Sequence, residues 1–163
     1  MTAIQIARRP DPEAVERILR ELPDWFGIED AIVGYAADAR RLPSYLAIRG
    51  EHEVVGICLV RRRYPESAEL HLIAVSPDHQ GDGVGSALVA AVEADLGVDG
   101  ARILQVHTVG PAREDAAYAR TRQFYRARGF VPLQEFDRID WDGPTLVLVK
   151  ALLPADTEIT LGS

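Results

Sequence analysis

Residues 67–109 carry an order of segments that few architectures accommodate. SAELHLIAV (67–75) has strand character and runs straight into SPDHQGDGVG (76–85), a turn with glycines at 81, 83 and 85. Val84, Leu88, Val92 and Leu96 then recur at helical spacing, with Ala87 and Ala91 beside them, so a helix opens directly out of the turn and ends near Gly97. ARILQVHTV (101–109) is a second strand. Strand, crossover helix and strand make a βαβ unit, whose strands are expected to be parallel and whose connection is expected to be right-handed.

The flanking segments extend this unit on both sides. Asp11-Pro12-Glu13 is a helix start, an N-cap followed by proline at the first helical position. Val15, Ile18, Leu19 and Leu22 share a face, and Pro23 stops the helix. A second helix is expected from Glu29 to Leu42, with Ile32, Tyr35, Ala36 and Ala39 inward. SYLAIR (44–49) and HEVVGICLVRR (52–62) read as a hairpin about Gly50-Glu51, the second strand apolar enough to be covered on both faces. Beyond the βαβ unit, GPAREDA (110–116) is a polar connection. Tyr118 to Arg128 is helical with Gly129 as its cap, and VPLQEFDRI (131–139) and TLVLVKAL (145–152) form a hairpin about WDGP. The expected order is α-α-β-β-β-α-β-α-β-β. The expected fold class is α/β: a mixed, mostly antiparallel sheet with one central parallel pair and helices on both faces. One domain over 1–153 and a frayed tail over 154–163 are expected.

Three kinds of loop could occupy the glycine turn. A phosphate loop needs lysine after its last glycine, and none follows here. A dinucleotide fingerprint needs glycine where Ser86 stands, and an acidic residue where the next strand ends in His107-Thr108-Val109. There remains a turn whose backbone amides converge at a helix N-terminus, which suits a pyrophosphate. Ser86 adds a hydroxyl, and Asp82 is expected to face solvent, since inward it would repel an anion. A plain glycine-rich turn is the alternative.

The order of residues favours the anion site. Gln80, Gly83 and Gly85, preceded by Val75 and Pro77, resemble the Gln/Arg-x-x-Gly-x-Gly/Ala motif of the GNAT superfamily of acyl-CoA-dependent N-acyltransferases. Further on, Phe124, Tyr125, Gly129 and Phe130 resemble that family's Phe-Tyr-x-x-x-Gly-Phe segment, and the element order agrees over about residues 3 to 152. The resemblance implies that amides of Gln80, Gly81, Asp82, Gly83, Val84, Gly85 and Ser86 hold the pyrophosphate of coenzyme A. It implies that the strand before the turn splays from its parallel neighbour, and that the pantetheine arm enters there beside Ala74 and Val75. The Val75 amide would then donate to the thioester carbonyl. Phe124 and Thr121 are further candidate cofactor contacts. The family often has asparagine where Tyr118 stands, so that contact differs here, with Thr121 as a partial substitute.

Acyl transfer to an amine needs a base for the ammonium and benefits from an acid for the leaving thiolate. The resemblance makes Tyr125 the candidate acid, against a plain core tyrosine. Glu69 and His71 are the candidate bases. Strand alternation puts Glu69, His71, Ile73 and Val75 on one face, and Leu70, Leu72 and Ala74 on the other. A solvated charge at the strand start is the other reading of Glu69. His107 is a candidate for lining the acceptor site. Trp25 and Phe26 are candidates for acceptor contacts or for closing the core, with segment 109–118 over the acyl end. Arg61, Arg62 and Arg63 are either contacts for the 3′-phosphate or a solvated strand end.

The expected function is direct transfer of an acetyl group from acetyl-CoA to a primary amine in a ternary complex. A catalytically idle acyl-CoA sensor or interaction module is the alternative. Several classes are disfavoured. Eighteen basic against 25 acidic residues, net −7, oppose nonspecific nucleic-acid binding. No apolar run spans a bilayer, and the charged N-terminus does not read as a signal peptide, so a cytoplasmic protein with no membrane partner is expected. No metal-ligand spacing links His52, His79 and His107 to other ligating residues, so no metal is expected. Cys58, the single cysteine, lies in an apolar run and reads as a buried structural thiol. A homodimer is compatible with the resemblance.

Overall fold

The computed structural model describes residues 3–153. Its elements are β1 Ile4–Arg8, α1 Pro12–Arg20, α2 Glu29–Asp38, β2 Ser44–Arg49, β3 Glu53–Tyr64, β4 Ser67–Val75, α3 Val84–Val98, β5 Ile103–Val109, α4 Ala116–Ala127, β6 Val131–Phe136 and β7 Thr145–Ala151. A 3-10 turn, Pro77–His79, separates β4 from α3. The expected tail, 154–163, lies outside the described residues.

The seven strands form one sheet in the order β1-β2-β3-β4-β5-β7-β6. Among the described residues only β4 and β5 pair in parallel, as the crossover predicts. β3 is buried from Val54 to Val60, as a strand covered on both faces must be. Ile18, Leu19, Leu46, Ile57 and Leu59 belong to the cluster under α1 and α2. Val55, Cys58, Leu88, Val92, Leu104 and Leu148 belong to the cluster under α3 and α4.

Local chemistry accounts for the helix ends. The Asp11 carboxylate accepts from the Ala14 amide at 3.0 Å, and Pro12 occupies the first turn, where its missing N–H costs nothing. The second helix stops at Asp38 rather than Leu42. Arg40 and Arg41 donate to the carbonyls of Ala37 and Asp38, so the last turn tightens to 3-10 geometry before Pro43. The fourth helix starts two residues earlier than expected, because Asp115 caps the amides of Ala117 and Tyr118. Gly129 ends it with φ +93°, as its cap role requires. The first strand, β1, is an addition to the expected order. Five residues with isoleucine at alternate positions are a weak signal, and pairing with β2 stabilises them.

The largest departure lies in β4. Leu72 pairs with Leu59, but Leu70 pairs with Val60, so two residues of β3 oppose three of β4. His71 is the extra residue of a β-bulge. The bulge shifts the alternation, so Glu69, His71, Ile73 and Val75 do not share one face. Ala68 and Leu70 join the α3/α4 cluster, whereas Leu72 and Ala74 join the α1/α2 cluster. Glu69 accordingly faces α2, while Ile73 and Val75 pack against the α3 side.

Helix α3 rests directly on the backbone of β3 at Gly56. A Cβ there would stand 2.7 Å from Val84 Cγ1 and 3.1 Å from Leu88 Cδ1. Gly56→Ala is therefore expected to destabilise the protein by about 1–3 kcal/mol through overpacking, read as a lower midpoint in thermal or urea unfolding.

Candidate active site

The site begins as a gap in the sheet. Parallel pairing joins Ser67–Leu70 to Ile103–Val106 and goes no further. Along its whole length β5 is held by β7 on its other side, so past the bulge it leaves β4. The direction of the freed backbone groups follows from the register. Ser76 donates to the Val55 carbonyl at 2.8 Å, and Gly56 lies opposite Val75. Antiparallel pairs alternate between hydrogen-bonded and non-hydrogen-bonded. Ala74 therefore turns its N–H and C=O to β3, and Ile73 and Val75 turn theirs into the gap. Of the two expected backbone contacts, Val75 is available and Ala74 is committed to the sheet.

The glycine turn closes one end of the gap. Gly81 and Gly83 both have φ +83°, a conformation that favours glycine. Gln80 Nε2 donates to the Val75 carbonyl at 3.3 Å, tying the turn to the strand. Asp82 pairs with Arg49 at 2.8 Å and so points away from the helix start, as expected. The first amides of α3, at Val84, Gly85 and Ser86, have no intrahelical acceptor and carry the positive end of its dipole. At Gly85 an added Cβ would stand 3.1 Å from Phe124 Cζ, so the Phe124 ring packs against the first turn of α3. Arg128 stacks over that ring, 5.7 Å from its centroid, and donates to Ser86 Oγ. Nothing in the sequence alone singles out Arg128. Its position just past the Phe-Tyr pair places a guanidinium beside the turn.

Tyr125 sits on the α3/α4 side, in ring contact with Phe124 and Phe130. Burial pushes its phenol well above the ordinary tyrosine range, with Cys58, Tyr35 and Tyr118 adding to the shift. Such a group is protonated at neutral pH and has a proton to give.

The other face of the gap holds a cavity of about 270 Å³, lined by Tyr35 and Asp38 of α2, Arg61 of β3, Glu69 and His71 of β4, His107 of β5, and Asp140 and Trp141 of the last hairpin. Glu69 is 4% exposed, which removes the reading of a solvated strand-start charge. Burial alone would raise its carboxyl. The His71 ring, the hydrogen bonds from Arg63 and the His107 ring outweigh burial and hold it below the usual carboxylate range. Arg63 Nη2 lies 3.1 Å from Glu69 Oε2, and His71 Nδ1 lies 3.7 Å from Glu69 Oε1. The other ring nitrogen of His71 is 2.8 Å from Asp38. His107 lies 2.6 Å from Asp140. The three arginines 61–63 therefore serve neither expectation uniformly: Arg61 lines the cavity, Arg62 donates to the Tyr64 and Pro65 carbonyls, and Arg63 holds Glu69.

Trp25 and Phe26 stand behind this cavity rather than in its lining. Phe26 packs edge-on against Tyr35. Trp25 Nε1 donates to Thr121 Oγ1 at 3.0 Å, and Tyr118 donates to the Trp25 carbonyl at 2.8 Å. Two residues of α4 thus clasp the segment between α1 and α2, and the Thr121 hydroxyl is already engaged. Segment 110–116 is fastened to the last hairpin, where Arg113 donates to the Asp142 carbonyl and Ala112 to Glu135. Among the described residues, no group of three or more His, Cys, Asp or Glu converges as a metal site, and no helix is long and apolar enough to cross a membrane.

Residues 42–132 match the family model described as an acetyltransferase (GNAT) domain. Solved structures share the fold. A protein described as an acetyltransferase of the GNAT family, from Desulfovibrio desulfuricans, superposes with a TM-score of 0.80 at 21% identity, covering 92% of this chain and 99% of that one. The ribosomal-protein-S18-alanine N-acetyltransferase of Escherichia coli has a TM-score of 0.73 at 17% identity, covering 99% and 100%. A GNAT family acetyltransferase from Elizabethkingia anophelis, solved with acetyl-CoA bound, has a TM-score of 0.67 at 19% identity, covering 91% and 98%. No curated protein sequence matches the chain.

Proposed function

Because this chain belongs to the GNAT acetyltransferase family, we propose that it moves an acetyl group from acetyl-CoA to a primary amine by direct attack in a ternary complex. The carrying observation is the gap between β4 and β5, which opens to an anion-ready helix start on one side and to a carboxylate-lined cavity on the other. The acetyl donor would lie along the α3 side, with its pyrophosphate on the amides of 81–86 and its thioester carbonyl at the Val75 N–H. A donor placed there stabilises the charge that develops on that oxygen. The amine would enter from the α2 side. Glu69 takes its proton, and Tyr125 gives one to the departing sulfur and regains one from the nitrogen of the tetrahedral adduct as the amide forms.

Direct transfer is favoured over an acyl-enzyme. The Cys58 thiol is fully buried in the α3/α4 cluster, and burial raises it to about 12, so it is no nucleophile at neutral pH. Arg128 would contribute charge at the pyrophosphate. Arg128→Ala is expected to raise KM for acetyl-CoA roughly 5–20-fold with kcat nearly unchanged, the pattern of lost uniform binding. A steady-state titration of acetyl-CoA at saturating amine reads both constants.

The test of the function is release of free coenzyme thiol by the purified protein, given acetyl-CoA and a broad panel of amines. Thiol release that depends on an amine, with an acetylated product found by mass spectrometry, supports transfer. Tight acetyl-CoA binding without turnover across the panel would favour the sensor reading instead.

A further inference from the structure

We propose that Asp38 and His71 form a dyad that takes the acceptor's proton onward from Glu69, with Asp38 as the positioning residue. This rests on the reading of Glu69 as the base. Each turnover strips one proton from an ammonium, and the Glu69 side chain, 5% exposed, has little contact with bulk water. A carboxylate held below its usual range also keeps a proton poorly. A second acceptor next to it would carry that proton away from the reacting amine.

His71 is placed for that task. Four groups face its ring: the Asp38 carboxylate at 2.8 Å from Nε2, the Arg61 guanidinium at 3.3 Å from Nε2, Glu69 Oε1 at 3.7 Å from Nδ1, and the Tyr35 ring, with centroids 5.2 Å apart. Arg61 has no lone pair to offer, and an ionised Asp38 has no proton to give. The shorter contact puts the Nε2 hydrogen on Asp38 and leaves the Nδ1 lone pair towards Glu69. Asp38 is itself fixed by Arg41 at 2.6 Å and lies 3.8 Å from Arg61. An aspartate that fixes the tautomer of a histidine and steadies its cation is the logic of the hydrolase triads. His71, the extra residue of β4, shares the α2 side with Glu69, and the phase change falls just after it, at Leu72.

The proton balance closes in three transfers. The ammonium gives a proton to the Glu69 carboxylate and becomes the free amine. The Glu69 carboxylic acid gives that proton to His71 Nδ1, forming an imidazolium whose Nε2–H still donates to Asp38. The imidazolium gives the Nδ1 proton to water in the cavity, and both residues return to their starting forms.

Asp38→Asn, Asp38→Glu, His71→Gln and the double variant D38N/H71Q test the dyad, with thermal unfolding as a check on folding. Asp38→Asn is expected to lower kcat roughly tenfold or more, with KM for acetyl-CoA unchanged. Asp38→Glu should recover much of that loss. The double variant should be no slower than His71→Gln, because Asp38 acts only through the ring. Losses that multiply in the double variant overturn the proposal, as does an Asp38→Asn variant whose only defect is a raised KM for the amine. Should Asp38→Asn unfold, imidazole added to His71→Ala decides: restored turnover supports the dyad, and none overturns it. A wild-type protein that releases no thiol with any amine fails at the function itself. Active wild type, inactive Glu69→Gln and fully active Asp38→Asn would remove the dyad alone.

Discussion

Glu69→Gln is expected to lower kcat by roughly 10²–10³-fold, the loss typical of removing a positioned general base. In barrier terms that is about 3–4 kcal/mol. The amide keeps the size of the carboxylate and can still meet Arg63 and His71, so the fold and KM for acetyl-CoA should change little. The pH dependence has a defined sign. The Glu69 carboxyl sits below its ordinary 4.5, so its base form is present at neutral pH and is lost only as pH falls through that lowered value. Loss of activity on acidification that follows Glu69 should therefore occur below pH ~4.5 and be absent from Glu69→Gln. Pre-steady-state rates across pH, on wild type and variant, separate this from effects on binding. An unchanged kcat would remove Glu69 as the base.

Tyr125→Phe is the second large effect, a fall in kcat of roughly 10²-fold without a matching change in KM. Loss of a hydroxyl in a packed aromatic cluster leaves the rings of Phe124 and Phe130 in contact with the new phenylalanine, so stability should move little. The raised phenol is protonated throughout the working range, and in the proposed role it would give up its proton as the sulfur leaves. The loss should shrink when the acetyl donor carries a more acidic thiol, because such a leaving group needs no proton. A loss that is constant across donors would assign Tyr125 to packing instead.

The sequence disclosed the βαβ unit because its signals agree: an apolar strand, positive-φ glycines and a helical stripe that opens at once. Val84, Leu88, Val92 and Leu96 are all buried, as their spacing predicts. Gln80 and the glycines were legible because the backbone there has few ways to turn. What stayed hidden depends on other elements. Nothing within SAELHLIAV announces a bulge, since the extra residue exists only against the partner strand. Asp38 reads as one more polar residue of a helix end until β4 brings His71 to it. Arg128 lies next to a recognised motif, yet its contact with Ser86 joins the ends of two helices 42 residues apart. The sequence leaves Trp25 and Phe26 between acceptor contacts and core closure. Trp25 proves to be the clasp between α4 and the loop before α2, an arrangement that needs both ends of the chain.

The single additional residue in β4 has a wider consequence. It works as a half-period phase slip. Before it, even-numbered side chains point to one side of the sheet; after it, they point to the other. The same nine residues paired without the slip would put Glu69 on the side of Ile73 and Val75, whereas deleting His71 itself would leave every other side chain of β4 on its present side. In that regular strand Glu69 and Val75 would share one side of the sheet. The slip lets residues an even number of positions apart, Glu69 and Val75, look to opposite layers of the molecule.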